Sequence, residues 1–484
     1  MQEVVLDRPP VRDALLDLIT TKEARIGVVG LGYVGLPLAV AFAQAGFHTT
    51  GLEADERKAR ALTEGKSYVG DVPDSDVRAL IASGCFHAVT DAALLSECDC
   101  IMVCVPTPLS RTNDPDLSYI ESATAQVRRS LRRGQLVVFE STTYPSCTDE
   151  LVLPELLRTG LQLDDDFLLA FSPERVDPGN ERFHTQTIPR IVGGCSDDSR
   201  DVAAALYKQV VGNVHAVSSA RVAETAKLLE NTFRAVNIGL VNEIAIMCEQ
   251  MNIDVWEVIE AAKTKPYGFM PFYPGPGIGG HCIPLDPEYL SWRGRQFGFE
   301  SRFITVAEHV NGEMPAHAVR LVGDALNDDG KALKNARVLV LGVAYKKNIA
   351  DLRESPALEI IQQLRAKKSA VEFHDPHITE IDFDKLQTRL RREMMFSGSD
   401  RRRPLRLRYE EDGTAHRPRR LSDNLQNVPL TEETLAASDC VLIVTDHDAV
   451  DYGKVAAHAP LIVDTRNVIK GELRQKAAGR VIRL

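Results

Sequence analysis

Apolar residues along the chain fall into two stretches of alternating strand-like runs and amphipathic segments, separated by a long helical stretch. From Arg25 the strand candidates are residues 26–29, 48–52, 100–105, 136–140, 167–171 and 190–192, with helix-period segments between them. That alternation predicts βαβ units and a parallel sheet covered on both faces. Ahead of it, residues 1–22 read as a polar lead-in with one short helical patch at 11–19. The texture changes near Ser218. From there to residue 252 the pattern predicts one long amphipathic helix without proline, with Val222, Leu229, Phe233 and Val236 among its apolar positions. More helix is expected to about residue 329, apart from a Pro/Gly-rich loop between 265 and 287. Strand runs then restart at 337–342 and continue at 371–374, 440–444 and 461–464. The expected fold class is α/β: two Rossmann-like, doubly wound parallel-sheet domains joined by a helical middle domain with one long central helix. Expected boundaries are 1–22, 23–217, 218–330 and 331–484, with an insertion at 383–430 where the periodic pattern dissolves.

Composition narrows this picture. A chain of 484 residues exceeds one ordinary core, and 44% apolar with 26% charged residues marks a soluble globular protein. No apolar run approaches the roughly 18 residues needed to span a bilayer. The N-terminus lacks the basic-then-apolar pattern of a secretory signal, so a cytoplasmic location without membrane contact is expected. The net charge of −11 disfavours nucleic acid as a partner, while a small phosphorylated substrate needs only a few local cations. Nine irregularly spaced cysteines predict no disulfide framework. Cys98, Cys100 and Cys104 read as small hydrophobes around a buried strand rather than as ligands, and no metal is expected. The eleven arginines between 389 and 420 read as part of an exposed insertion rather than a nucleic-acid contact.

Candidate chemistry begins at Gly30-Leu31-Gly32-Tyr33-Val34-Gly35, which follows a strand and opens a helix. Gly30 allows the tight turn, Gly32 lets the backbone approach a pyrophosphate, and Gly35 lets the helix pack on the sheet. The helix N-terminus offers N–H groups and a positive dipole end to that anion. The next strand ends at Glu53, where a carboxylate binds adenosine ribose hydroxyls and repels a 2′-phosphate; the expected cofactor is NAD, not NADP. Lys58 joins these cofactor candidates. Pro106 and Thr107, in Val105-Pro-Thr-Pro108, and Thr142, in Glu140-Ser-Thr-Thr-Tyr-Pro145, end two further strands on the ligand side of the sheet. Each threonine is either a ligand contact or a strand-end cap.

The loop Pro274-Gly-Pro-Gly-Ile-Gly-Gly-His-Cys-Ile-Pro-Leu-Asp286 places Cys282 at the mouth of a helix, where a thiol is more nucleophilic. Asp286 lies four residues on, so the two side chains can share a face. A cysteine in an NAD enzyme suggests aldehyde oxidation: a thiohemiacetal is a better hydride donor than an aldehyde, and the resulting thioester hydrolyses to a carboxylate. His281 is a structural or substrate-facing residue rather than a partner for its neighbour, since consecutive side chains rarely face one another. Lys227 and Asn231, at i and i+4 on the long helix, can polarise a substrate oxygen, although taken alone they are ordinary helix residues. Glu174, in Phe171-Ser-Pro-Glu-Arg175, is a candidate general base acting through water.

Together these segments resemble the UDP-glucose/GDP-mannose dehydrogenase family over about residues 25–380 and 435–470. The resemblance is carried by GLGYVG, VPTP, EST, SPER, the helix Glu224-Thr-Ala-Lys-Leu-Leu-Glu-Asn-Thr-Phe-Arg234, GGHCIPLDP and Ala344-Tyr-Lys-Lys-Asn-Ile-Ala-Asp-Leu-Arg-Glu-Ser-Pro356. It implies two successive NAD-dependent oxidations at the 6-position of a nucleotide-linked sugar. It makes Cys282 the nucleophile, with Lys227, Asn231 and Asp286 positioning water and stabilising the oxyanion, and Thr142 and Glu174 as a further water-positioning pair. It places Lys346 on the substrate diphosphate, Arg353 on the cofactor from a second subunit, and Arg466 on the substrate. Arg175, Tyr273 and Gly277 join the implied substrate contacts. One departure concerns Pro178, which stands where UDP-glucose enzymes carry a second glutamate. The loop wording is similar to that of members acting on UDP-N-acetylhexosamines, N-acetylglucosamine in particular. A homodimer through the long helix is also implied.

Overall fold

The computed structural model describes residues 9–110, 114–176, 186–280, 282–383 and 424–484. The chain forms two compact units, residues 1–230 with 288–299 and residues 231–287 with 300–484. The first unit carries eight strands: β1 (Ile26–Val29), β2 (Thr49–Leu52), β3 (Phe86–Val89), β4 (Cys100–Val103), β5 (Gln135–Phe139), β6 (Phe167–Phe171), β7 (Arg190–Gly194) and β8 (Val214–Val217). They form one sheet in the order β3-β2-β1-β4-β5-β6-β7-β8. Its helices are α1 (Val11–Thr21), α2 (Gly35–Gln44), α3 (Glu56–Thr63), α4 (Asp74–Ala82), α5 (Ser118–Ser130), α6 (Leu153–Leu157) and α7 (Asp197–Tyr207).

Every residue of β1, β4, β5 and β6 is buried. Successive side chains leave the sheet on opposite sides. Thus Cys100 and Met102 join one apolar cluster while Ile101 and Val103 join the other. Two covered faces explain why these strands read as continuous apolar runs rather than alternating ones. Burial pushes the Cys98 thiol up to about 11 and that of Cys100 higher still, as befits packing residues.

The helical patch near the N-terminus is part of this core. Val11, Leu15 and Ile19, one turn apart, are buried in the cluster that α2 and α7 share. Each such side chain contributes roughly 1.5–3 kcal/mol by leaving water. The sheet departs from the expected parallel arrangement at one junction, where β7 pairs antiparallel with β6 through Ala170 and Gly194. Apolar periodicity reports burial and carries no information on strand direction. The edge strands β3 and β8 escape the sequence pattern because each is partly exposed and contains a histidine.

Helix α8 (Ala220–Gln250) runs from the first unit into the second. It has two apolar faces. Ala223, Leu228, Val241, Ala245 and Cys248 are buried, whereas Val222, Leu229 and Phe233 are 43%, 61% and 46% exposed.

The second unit continues with α9 (Val255–Lys263), the start of α10 (Asp286–Gln296) and α11 (Arg302–Asp328). Its strands are β9 (Arg337–Leu341), β10 (Ala370–His374), β11 (Glu380–Ile381), β12 (Leu425–Gln426), β13 (Cys440–Ile443), β14 (Leu461–Asp464) and β15 (Arg480–Arg483), and α12 (Pro356–Ala366) follows β9. A parallel sheet runs in the order β10-β9-β13-β14-β15, beside a separate antiparallel β11·β12 pair. The chain's last residue takes part in this fold: the Leu484 carbonyl accepts a hydrogen bond from the Trp256 indole at 2.7 Å.

The expected insertion is narrower than 383–430. Phe383 is buried, and the Val428 N–H donates to the Phe373 carbonyl at 2.9 Å, so residues 425–428 belong to the fold. Two-residue pairing is a tertiary event with too short a pattern to read. The arginines at 389–420, together with His281, Pro178 and residues 1–8, lie outside the described residues. Among the described residues, no helix is long and apolar enough to cross a membrane and no cluster suited to a metal occurs.

Candidate active site

The turn from β1 into α2 is shaped by its own backbone. Gly30 has φ +87°, and a Cβ there would lie 2.6 Å from the Cys104 carbonyl oxygen. A Cβ on Gly35 would lie 1.9 Å from the Gly30 carbonyl oxygen, so only glycine lets α2 start this close to the strand. Gly32 differs: its Cβ would meet nothing within 4 Å, leaving open space above the turn. Leu31 is buried beneath it and Tyr33 is exposed. Val34 leads into the helix.

Glu53, buried just past β2, accepts hydrogen bonds from the Leu31 N–H at 3.3 Å and the Asp55 N–H at 3.0 Å. The Tyr68 hydroxyl donates to the Leu31 carbonyl at 2.8 Å and lies 3.4 Å from the Glu53 carboxylate. The Lys58 ammonium sits 5.2 Å from the Tyr68 ring centroid. The glycine turn, the Glu53 carboxylate and Lys58 are thus gathered at one place, with open space at Gly32 just ahead of α2. That arrangement fits a dinucleotide. Tyr68 was not singled out from the sequence, where nothing marks it from other tyrosines.

Further along the sheet, the Tyr289 hydroxyl of α10 donates to the carbonyls of Thr107 (2.9 Å) and Pro108 (3.1 Å) and fixes the segment holding Pro106. Thr142 is half-buried in the loop after β5. That loop is tied to α8 by Glu224, whose carboxylate accepts from the N–H groups of Ser146 (2.5 Å) and Thr148 (2.9 Å) and from the Thr148 hydroxyl (2.6 Å). Burial pushes the Glu224 carboxyl up to about 7, against those hydrogen bonds.

Glu174 follows β6. One of its oxygens accepts from the N–H groups of Arg175 (2.6 Å) and Val176 (2.8 Å), and the other from the Arg190 guanidinium at 2.7 Å. Burial pushes its carboxyl up, but the Arg190 charge and these hydrogen bonds hold it below the usual range. Glu174 is therefore a firmly ionised acceptor and a weak base. The Arg175 side chain is engaged elsewhere, in a two-point ion pair with Glu230 at 2.6 and 3.1 Å.

In the second unit, Cys282 is half-buried one turn ahead of α10, and its carbonyl accepts from the Asp286 N–H at 2.8 Å. The buried Asp286 carboxylate accepts a hydrogen bond from the Asn231 side chain of α8. Lys227 is buried one turn earlier on the same helix, within the first unit, as are Thr142 and Glu174.

The loop that carries Cys282 rests on the segment after β9. A Cβ on Gly279 would lie 2.6 Å from the Tyr345 Cβ and 2.7 Å from the Glu354 carbonyl oxygen. Gly280 has φ +89°, its Cβ would lie 2.7 Å from the Tyr345 ring, and its N–H donates to the Arg353 carbonyl at 3.2 Å. A Cβ on Gly277 would lie 3.1 Å from Pro356. The segment beneath is held in turn by a buried pair. His447 Nε2 lies 3.0 Å from Asp375, while its Nδ1 accepts from the Asn348 N–H at 2.9 Å. Asp375 also accepts from the N–H groups of Val343 (2.7 Å) and Ala344 (3.1 Å). These bonds outweigh burial and hold its carboxyl at about 2. Lys346 is thereby placed on the segment that supports Cys282.

Arg466 is folded beneath the same loop: its Nη1 would lie 2.6 Å from a Cβ on Gly275, and its Nε donates to the Val444 carbonyl at 2.7 Å. Arg353 is paired with Asp351. Tyr273 stacks on Trp256 and donates to Glu260 at 2.7 Å, so its hydroxyl is directed to α9.

Three family models match along the chain. They are the NAD binding domain of the UDP-glucose/GDP-mannose dehydrogenase family at residues 24–211, its central domain at 221–313 and its UDP binding domain at 339–471. The chain belongs to the UDP-glucose/GDP-mannose dehydrogenase family. As a member it is an NAD-dependent oxidoreductase of the UDP-sugar dehydrogenase group, and the glycine turn lies within its NAD binding domain. A UDP-N-acetyl-D-glucosamine 6-dehydrogenase of Pseudomonas aeruginosa is 34% identical over 363 residues, covering 75% of this chain and 85% of that protein. A UDP-N-acetyl-D-mannosamine dehydrogenase of Pyrococcus horikoshii is 36% identical over 357 residues, covering 73% and 84%. The solved structure of a UDP-D-ManNAc dehydrogenase from Pyrococcus horikoshii aligns with a TM-score of 0.79 at 30% identity, covering 95% of this chain and 98% of that one.

Proposed function

We propose that the chain oxidises the 6-position alcohol of UDP-N-acetylglucosamine to the uronic acid, through a covalent adduct on Cys282, in the cytoplasm and for surface-polysaccharide precursors. The observation that carries this reading is the arrangement around Cys282: a thiol one turn ahead of α10, with the Asn231–Asp286 pair fixed at the start of that helix. In this reading Lys346 and Arg466 bind the nucleotide-sugar, with Arg175, Tyr273 and Gly277 at its edges. Arg353 reaches the cofactor of a second subunit. Residues 23–217 hold NAD, residues 331–484 hold the UDP-sugar, and residues 218–330 form a homodimer. The exposed Val222, Leu229 and Phe233 on α8 support that last assignment, since an apolar stripe on a long helix calls for a covering surface.

The chemistry has two halves. NAD, held by the turn at residues 30–35 with Glu53 and Lys58, would supply the hydride acceptor for each half. In the first, the alcohol loses a proton and a hydride to become an aldehyde, with Lys227 and Asn231 steadying the oxygen. In the second, the Cys282 sulfur bonds to the aldehyde carbon, and loss of hydride leaves a thioester. Water, oriented by Thr142, Glu174 and Asp286, adds to that carbon, the C–S bond breaks and the thiol is regained.

Each sugar consumed should therefore release two NADH and one carboxylate. Cys282→Ala should abolish acid formation and leave at most slow aldehyde production; acid formed at a near-normal rate would refute the covalent route. A second reading, the same chemistry on UDP-N-acetylmannosamine, is favoured by the mannosamine enzyme and structure among the relatives. Parallel assays with the glucosamine, mannosamine and galactosamine sugars and with UDP-glucose decide between them by kcat/KM.

A further inference from the structure

We infer that Arg190 is the positioning residue for Glu174, and that Glu140 and Tyr207 exist to hold Arg190 in that task. The inference rests on the proposed water-handling role of Glu174. Arg190 opens β7, a strand buried along its whole length. A guanidinium in such a strand loses its hydration and must be satisfied internally. Each of its nitrogens has its own acceptor: Nε the Ser172 hydroxyl at 3.0 Å, Nη1 the Glu174 carboxylate at 2.7 Å, and Nη2 the Glu140 carboxylate. The guanidinium carbon lies 4.9 Å from the Tyr207 ring centroid, and the Tyr207 hydroxyl donates to the other Glu140 oxygen. The cluster thus joins the ends of β5 and β6, the start of β7 and helix α7.

Buried ion clusters of this kind contribute little net stability, because desolvation offsets their attraction. Their geometry, however, is directional. Glu140 is fully enclosed, whereas Glu174 stands at the rim and keeps two extra backbone N–H donors. One cation facing two carboxylates favours ionisation of the one with more donors. Burial pushes both carboxyls up; Glu140 stays above its ordinary value, while Glu174 is brought below its own. The other groups facing the cluster are the Cys104 thiol, pushed up by burial, and the Tyr207 hydroxyl, pushed up by burial and Glu140. The nearby Arg175 cation is spent on Glu230. Glu174 is therefore held both in place and in charge, as an acceptor for the water that cleaves the thioester.

The test is the pH profile of acid formation by the NAD-loaded enzyme, from about pH 3 to about pH 9, with the UDP-sugar it oxidises fastest. Arg190→Lys leaves one cation, but its donors sit on a single nitrogen and cannot span the three separate acceptors that Nε, Nη1 and Nη2 of the arginine fork reach. It should raise the proton affinity of Glu174 about tenfold, moving the acid limb up by about one pH unit, with KM for the sugar changing much less than kcat. Glu140→Gln removes the competitor for the same cation and should leave the limb in place or lower it. An unmoved limb in Arg190→Lys, or an equal upward move in Glu140→Gln, would overturn the inference and leave the cluster as packing. If Arg190→Lys does not fold, Tyr207→Phe carries the test. Glu140 then draws harder on Arg190, so a smaller upward move supports the inference and an unmoved limb overturns it. Glu174→Gln separates the two levels: a normal acid yield in that variant removes the water-handling reading itself, whatever the Arg190 variants do.

Discussion

Gly30, Gly32 and Gly35 in the first unit and Gly275, Gly277, Gly279 and Gly280 in the second give the chain two glycine-rich turns, each leading towards a helix. In the first, the atoms a side chain would strike belong to the turn's own backbone and to the end of the neighbouring strand: the carbonyl oxygens of Gly30 and Cys104. In the second, they belong to Tyr345, Glu354, Pro356 and Arg466, far along the chain. The first turn is a local solution to the strand–helix connection, with space left over for a ligand at Gly32. The second is a packing surface, free of side chains where another segment presses on it. Glycine spacing is therefore diagnostic in the first case, while in the second glycine records only that something lies close.

The largest effect should come from Gly35→Ala, because the clash is with backbone that cannot move without opening the turn. A loss of about 3–5 kcal/mol in the first unit is expected, lowering its melting temperature by about 10 °C and weakening NAD binding more than a hundredfold. Calorimetric titration with NAD checks this, and full affinity would mean that the turn tolerates a different path. Gly280→Ala should act on the other unit. Acid formation should fall roughly tenfold to a hundredfold through displacement of the Cys282 loop, with NAD affinity unchanged. Pairing it with Tyr345→Ala should restore part of the rate by removing the ring it strikes; a double variant no better than the single would show that backbone strain, not packing, limits this loop. The smallest effect belongs to Gly32→Ala. Its side chain enters open space, so the melting temperature should hold while NAD affinity drops about tenfold, or about 1.4 kcal/mol. A matching fall in melting temperature would blur the distinction between the two turns.

Much of the fold was legible where burial on two faces leaves an uninterrupted apolar run, as in β1, β4, β5 and β6. It was not legible at β3, β8 and β15, whose partly exposed residues dilute the pattern. The direction of β7 was likewise hidden, because parallel and antiparallel strands bury the same residues. Among the candidate functional residues, Cys282, Asp286 and Glu53 stood out by position relative to strand ends and helix starts, whereas Lys227 and Asn231, inside α8, carried only their one-turn spacing. Arg190 did carry one signal: a lone charge opening an otherwise apolar strand. That signal points to a buried partner without saying which one.

What the sequence by itself determined is everything governed by neighbours within a few residues: the turn into α2, the Cys282–Asp286 spacing at the mouth of α10, and the one-turn step from Lys227 to Asn231 on α8. These follow from helix and strand periods, which are properties of the local backbone. Only the tertiary structure decided that Arg190 would be shared between Glu174 and Glu140. It alone decided that Tyr345 would lie under Gly279 and Gly280, and that His447 and Asp375 would hold the segment carrying Lys346. Those pairings depend on which strand ends the sheet order brings side by side. Sheet order is set by the burial of whole elements against one another, which no short window of sequence contains.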